Sequence, residues 1–221
     1  MPDDVLAEQV AYYRRRAGEY DATSYGDLAW AATRIERIVS ALRPAGSVLE
    51  LACGTGLWTP ALARHADTVV AVDSSPEAIA FAAPRVAGSD VTFEVADVFA
   101  YAPPQRVDVV FFSAWLSHVP DGRFDAFWAR LAALLTDGGR VLFVDEHVDE
   151  RGKETWVGDG TVERTLLDGS TFRIVKNYVD PERLTARLAG LGWTCAIARD
   201  GTDWVVGEAR VTGRDDLSRS G

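Results

Sequence analysis

Two glycines and an acidic side chain lie close together in the stretch VLELACGTGLW, residues 48–58. The apolar residues that open it are typical of a strand covered on both faces, and residues 57–65 have helical spacing. Gly54 and Gly56 lie between the two elements, where the absence of a side chain lets backbone approach a ligand. Amide groups at the start of the helix would face that ligand. The pattern predicts a nucleotide-binding turn, although such turns also end strands for structural reasons alone.

A carboxylate follows the next predicted strand. Residues 68–72 form a β-branched run that ends at Asp73, and Ser74 leads into another helix. Asp73 lies 17 residues after Gly56 (73 − 56), close to the spacing of about 20 at which an acidic residue binds ribose in nucleotide-binding α/β folds. A carboxylate can accept hydrogen bonds from both ribose hydroxyls. The alternative is a helix cap, and the nearby glycine turn favours ribose binding.

Two details argue against a dinucleotide. The dinucleotide fingerprint has a third glycine where this chain has Thr59, and Glu50 precedes the glycines at the strand end. The segment instead resembles motif I of the class I S-adenosylmethionine (SAM)-dependent methyltransferases, of the small-molecule type. In that family the turn accommodates the amino-acid part of a cofactor without phosphates. The resemblance implies an enzyme, a SAM-dependent methyltransferase, with SAM as its cofactor.

The resemblance includes two further segments. A third predicted strand is followed by Asp97 and Val98, similar to the family segment in which an Asp binds the adenine amine and an apolar neighbour packs on the ring; an ordinary turn is the alternative. Tyr13 and Tyr20 belong to a segment like the one that folds over the cofactor, or they attach a helix to the core. The predicted cofactor-binding residues are Tyr13, Tyr20, Glu50, Ala52, Gly54, Gly56, Asp73, Ser74, Asp97, Val98 and Ser113.

Two histidines follow the predicted fourth and fifth strands, and both could act in catalysis. Methyl transfer needs the acceptor lone pair in line with the methyl–sulfur bond, so positioning supplies much of the rate, and a base is needed only if the acceptor carries a proton. His118 and His147 are the predicted catalytic residues, with His118 nearer the chemistry. Trp115, His118 and Trp156 are predicted to contact the acceptor. Backbone hydrogen bonding, an acidic rim beside His147 and simple packing of the tryptophans are the alternatives.

The order of elements predicts an α/β fold, with a Rossmann-like, mostly parallel seven-stranded sheet and helices on both faces. An N-terminal helical lid precedes the sheet, and a β-hairpin is inserted after strand five, centred on Asp168 and Gly169. Residues 1–46 form the N-terminal helices and lid, 47–210 the SAM-binding core with the insert at 148–180, and 211–221 a disordered tail. The whole chain is predicted to be one domain.

Composition limits the partners. The formal net charge of −10, with 23 basic and 33 acidic residues, argues against nucleic acid and favours a small-molecule acceptor. Cys53 and Cys195 have neither disulfide nor metal-ligand spacing, so we predict no metal and a reducing, cytoplasmic location. Only 2 of 23 basic residues are lysines, which suggests a GC-rich bacterial genome. No membrane segment is visible, and the chain is predicted to be a monomer or homodimer.

The predicted function is transfer of a methyl group from SAM to an O or N atom of a small acceptor, which an aromatic or heterocyclic ring would suit. Two other functions are compatible with the residues. One is an NAD(P)-linked reductase on a related fold, which the missing third glycine and Asp97 disfavour. The other is a non-catalytic domain that binds SAM.

Overall fold

The computed structural model describes residues 3–213 and contains two β-sheets. Its strands are β1 (Ser47–Leu51), β2 (Thr68–Asp73), β3 (Val91–Val95), β4 (Val107–Ser113), β5 (Leu135–Glu146), β6 (Trp156–Gly158), β7 (Thr161–Thr165), β8 (Thr171–Val175), β9 (Trp193–Asp200) and β10 (Trp204–Val211). The larger sheet has the order β3-β2-β1-β4-β5-β10-β9. Its first five strands are parallel and β10 is antiparallel to both neighbours. The predicted Rossmann-like, mostly parallel seven-stranded sheet is confirmed.

Helices cover both faces of this sheet. They are α1 (Asp3–Arg16), α2 (Tyr20–Ser24), α3 (Leu28–Leu42), α4 (Thr59–Ala63), α5 (Pro76–Ala82), α6 (Asp121–Leu134) and α7 (Pro181–Gly190). On one face, Ile35 of α3 and Leu62 of α4 pack with Phe111. On the other, Trp128 of α6 and Leu188 of α7 share a core with the sheet. Residues of β1, β4 and β5 contribute to both cores, so the central strands are held between two apolar layers.

Side-chain caps set where the helices begin. Asp27 accepts hydrogen bonds from the Ala29 and Trp30 amides at 2.9 and 3.0 Å, which satisfies two donors at the start of α3. Asp180 does the same for α7, which also has a proline at its first position. The helix after the glycine turn, α4, is shorter than the predicted range of 57–65.

The segment inserted after β5 forms its own antiparallel sheet in the order β6-β7-β8. The predicted hairpin is its β7–β8 pair, and β6 adds a third strand. The N-terminal helix α1 packs on this insert. Gln9 accepts from the Val175 amide at 3.0 Å, and Tyr12 lies in a small apolar core with Val162 and Ile174. The helix and the insert therefore form one layer.

The described residues end shortly after the last strand. β10 extends to Val211, the first residue of the predicted disordered tail, and residues 214–221 lie outside the described range. Within that range no helix has the length and apolar character that a membrane crossing requires.

Candidate active site

A cavity of about 460 Å³ lies at the carboxyl ends of β1, β2, β3 and β4. Adjacent parallel strands end at the same edge of a sheet, so the loops after them converge there. Every predicted cofactor-binding residue except Glu50 and Gly56 lines this cavity. Leu6, Gln9, Val10 and Tyr13 of α1 line it too. The N-terminal helix therefore contributes one wall of the cavity.

The two glycines of the turn have different surroundings. Both have left-handed backbone, with φ of 55° at Gly54 and 76° at Gly56. A Cβ at Gly54 would meet no atom within 4 Å, and this residue lines the cavity. A Cβ at Gly56 would lie 2.6 Å from the Cβ of Ala82. Gly54 thus leaves space for a ligand, whereas Gly56 allows the turn to pack against the end of α5.

Asp73 is held in place by backbone donors. Its carboxylate accepts from the Gly54 amide at 2.9 Å and from the Ser75 amide at 2.8 Å. Burial raises the pKa of Asp73, and these hydrogen bonds oppose that change. The carboxylate therefore links the turn after β1 to the end of β2 and faces the cavity.

Glu50 is buried beneath the same turn, outside the cavity lining. Burial, with a smaller contribution from the Asp73 charge, raises the pKa of Glu50 to about 8. One of its carboxyl oxygens, Oε2, has no hydrogen-bond partner among the described residues. A buried carboxyl oxygen without a donor is costly unless a ligand supplies one. Among the described residues near the turn, the Thr59 hydroxyl oxygen likewise has no hydrogen-bond partner.

A second cavity, of about 200 Å³, adjoins the first. Both cavities are lined by Tyr13, Tyr20, Ser113, Ala114 and His118. The remaining wall of the smaller cavity comes from other parts of the chain: Arg16, Thr23, Ser24, Tyr25, Trp58, Val144, Asp145, Glu146, Arg164, Lys176 and Trp204. Two ligands, one in each cavity, would meet at the shared wall.

His118 and Tyr13 form a hydrogen-bonded pair in that wall. His118 Nδ1 lies 2.7 Å from the Val175 carbonyl oxygen, which can only accept, so Nδ1 carries the proton. Nε2 then accepts from the Tyr13 hydroxyl at 2.8 Å. Burial, followed by the charge of Lys176, holds the pKa of His118 well below its usual range. The imidazole is therefore neutral, with both ring nitrogens engaged.

The other predicted catalytic and acceptor-binding residues lie in different places. Trp115 lines the larger cavity and packs on Phe99 with ring centroids 5.3 Å apart. His147 lines neither cavity, and its Nδ1 accepts from the Asp149 amide at 3.1 Å. Trp156 lines neither cavity and donates to the Arg151 carbonyl at 3.1 Å. Of the two predicted catalytic histidines, His118 is the one that reaches the shared wall.

The sequence prediction did not include the basic residues of the smaller cavity. Arg16 ends α1, Arg164 lies on β7, and Lys176 follows β8. Lys176 is only 2% exposed. Lys176 directly follows the apolar Ile174 and Val175 in the sequence, a position that indicates burial. Because a buried lysine almost always has a partner, this position could have pointed to a polar site.

Comparison with known proteins shows the family. A family described as a methyltransferase domain matches residues 48–139. The ubiquinone biosynthesis O-methyltransferase of Xanthomonas axonopodis pv. citri is 31% identical over 165 residues, covering 72% of this chain and 67% of the relative. The chain belongs to the SAM-dependent methyltransferases. It is thus a methyltransferase with SAM as its cofactor, and the reductase alternative is set aside.

Two further proteins illustrate the range of similar proteins. The solved structure of the DhpI–SAH complex has 39% sequence identity to this chain and a TM-score of 0.85. The match covers 96% of this chain and 100% of that one. Trans-aconitate 2-methyltransferase of Streptomyces avermitilis is 30% identical over 149 residues, which cover 65% of this chain and 52% of the relative. The similarity to the DhpI structure therefore includes the segments before and after the residues that the family match covers.

Proposed function

We propose that this methyltransferase acts on an oxygen atom of a small molecule bound in the smaller cavity, with SAM in the larger one. The observation that supports this most directly is the wall shared by the two cavities, because transfer requires the acceptor atom and the methyl group to meet in line. The relatives named for O-methylation in ubiquinone biosynthesis favour oxygen over nitrogen.

The residues of the larger cavity fit the cofactor. Asp73 would accept from the ribose hydroxyls, Asp97 and Val98 would hold the adenine, and the open space at Gly54 would admit the amino-acid part. Glu50, buried beneath the turn and outside the cavity lining, would support the loop that the amino-acid part contacts. SAM, when bound, supplies an electrophilic methyl group on a sulfonium. These residues hold and orient it.

We propose a positioning role for His118. Its Nε2 already accepts from Tyr13, so a proton from the acceptor would have to pass through the tyrosine hydroxyl. Its more direct effect is to fix the Tyr13 ring, which lines both cavities. His147, which lines neither cavity, would have less influence.

Calorimetric titration of the purified protein with SAM, S-adenosylhomocysteine (SAH) and NADH tests the cofactor assignment. SAM and SAH should bind and NADH should not. An acceptor screen that measures SAH formation then tests for turnover. Binding of NADH without binding of SAM would overturn the proposal.

A further inference from the structure

A carboxylate of the N-terminal segment is bound to the glycine turn. Asp21, in α2, accepts from the Thr55 hydroxyl at 2.6 Å with Oδ1, and its Oδ2 accepts from Nη2 of Arg85. Arg85, which lies just after α5, also donates from Nε to the Thr55 carbonyl at 2.8 Å. The three residues therefore form a closed ring of hydrogen bonds between α2, the glycine turn and the segment after α5.

Thr55 is the central residue of that turn. It lies between Gly54 and Gly56, which both have left-handed backbone, and it is 4% exposed and lines the larger cavity. Glycines restrict the backbone little, so the turn needs restraints from elsewhere to keep one conformation. Asp21 and Arg85 supply them, because they engage the hydroxyl and the carbonyl of Thr55.

The helix that carries Asp21 also forms part of the smaller cavity. Tyr20 lines both cavities, and Thr23, Ser24 and Tyr25 line the smaller one. α2 has only five residues, and all of them are at least partly exposed. A helix this short is not stable by itself. Its place in the cavity wall therefore depends on the contacts of its side chains with the rest of the protein.

Another link between the N-terminal segment and this side of the core is more exposed. Arg14 of α1 donates from Nε to Glu77 of α5 at 3.1 Å, with 45% and 47% of the two side chains exposed. The side chains of Asp21 and Arg85 are only 21% and 29% exposed. Exposed ion pairs contribute little, whereas charged hydrogen bonds that are partly shielded from solvent contribute more. Of these two links, the one through Asp21 is suited to hold α2 against the turn.

We propose that Asp21 is a positioning residue for methyl transfer, which couples the glycine turn of the larger cavity to the wall that α2 gives the smaller one. This inference rests on the proposed function, which puts SAM in the larger cavity. Cofactor bound against the turn favours the turn conformation that Asp21 holds, and α2 is fixed with it. Coupling of this kind is reciprocal, so α2 in its closed position also raises the affinity for cofactor.

Hydrogen exchange of the intact protein, with and without SAH, tests the inference. The amides of Thr23 and Tyr25 donate to backbone carbonyls of the preceding turn at 3.0 and 3.1 Å, so they exchange when α2 opens. In the wild type, SAH at about 100 times its Kd should slow exchange in residues 20–25 about 10-fold or more, because a ligand that favours the closed segment lowers its open fraction. Mass spectrometry of peptic fragments that cover this range measures the change.

Two variants remove the link from either side. Asp21→Ala and Thr55→Val should each weaken SAH binding about 10-fold, and SAH at the same multiple of its Kd should then slow exchange in residues 20–25 less than about threefold. Thr55→Ser, which keeps the hydroxyl, should retain most of the wild-type protection. Arg14→Gln is the matched control: it removes only the exposed link to α5 and should follow the wild type in both measurements.

The ratio of exchange rates with and without SAH separates coupling from a purely structural role. If Asp21 only stabilised α2, Asp21→Ala would speed exchange equally in both conditions, and the ratio would stay at its wild-type value. That result in Asp21→Ala and Thr55→Val, or a wild type that binds SAH without protecting residues 20–25, would overturn the coupling and leave the proposed function standing. If Asp21→Ala does not fold, Thr55→Val decides. If SAH fails to bind the wild type, the proposed function is wrong.

Discussion

The Tyr13 hydroxyl donates to Nε2 of His118 over 2.8 Å, and both residues line the wall between the two cavities. The pair joins α1 to the loop after β4, while His118 Nδ1 donates to Val175 of the insert. Three segments that are distant in sequence therefore meet at one imidazole. The orientation of Tyr13 depends on all of them.

The first prediction concerns this pair. Tyr13→Phe and His118→Asn should each reduce kcat by about 100-fold, because a small misplacement of groups at the reacting atoms can cost that much. The double variant should lose little more than either single one, since both remove the same hydrogen bond. Steady-state kinetics with the acceptor found in the screen would measure this. His147→Ala is the control and should stay near the wild type; losses that multiply in the double variant would show that the two residues act independently.

The second prediction concerns cofactor affinity. Asp73→Asn should weaken SAM binding by about 10- to 100-fold, since hydrogen bonds to a charged group contribute about 1.5–3 kcal/mol. Calorimetric titration with SAM measures the effect. Asp90→Asn, at an exposed position away from the cavity, should bind SAM as the wild type does. Unchanged affinity in a folded Asp73→Asn protein would contradict the ribose assignment.

The sequence alone predicted the site residues that directly follow the strands of the core sheet. Gly54, Asp73 and Asp97 follow successive strands, and parallel strands bring their ends together, so their convergence at one cavity could be predicted. Arg164 and Lys176 could not be found this way. They belong to the insert, and their position depends on how its sheet packs against α1. That packing rests on long-range contacts such as Gln9 with Val175, for which spacing along the chain carries no signal.

The third prediction concerns the contact between α1 and the insert. Gln9 is 3% exposed and accepts from the Val175 amide at 3.0 Å, whereas the ion pair of Glu8 with Arg173 is partly exposed. Gln9→Leu should lower the free energy of unfolding by about 1–3 kcal/mol, because it leaves a buried amide unpaired. Arg173→Gln should cost clearly less than Gln9→Leu, because exposed ion pairs usually contribute little to stability. Urea unfolding of both variants gives the comparison, and an equal loss in the two would contradict it.

The last prediction uses the raised pKa of Glu50. Its pKa in the folded protein is about 8, above the ordinary value of 4.5, because burial disfavours the carboxylate. Between these values the folded state holds a proton that the unfolded state has released. The contribution of Glu50 to the free energy of unfolding is therefore largest below its pKa in the unfolded state. This contribution is lost as the pH rises towards the pKa of the folded state, by at most about 1.4 kcal/mol per pH unit.

Glu50→Gln removes this dependence. Without cofactor, the variant should gain stability relative to the wild type as the pH rises from about 5 to 8. Urea unfolding at several pH values across that range measures the effect. Glu182→Gln, at an exposed position in α7, is the control and should follow the wild type. A stability difference between Glu50→Gln and the wild type that does not change with pH would show that Glu50 ionises normally in the folded protein.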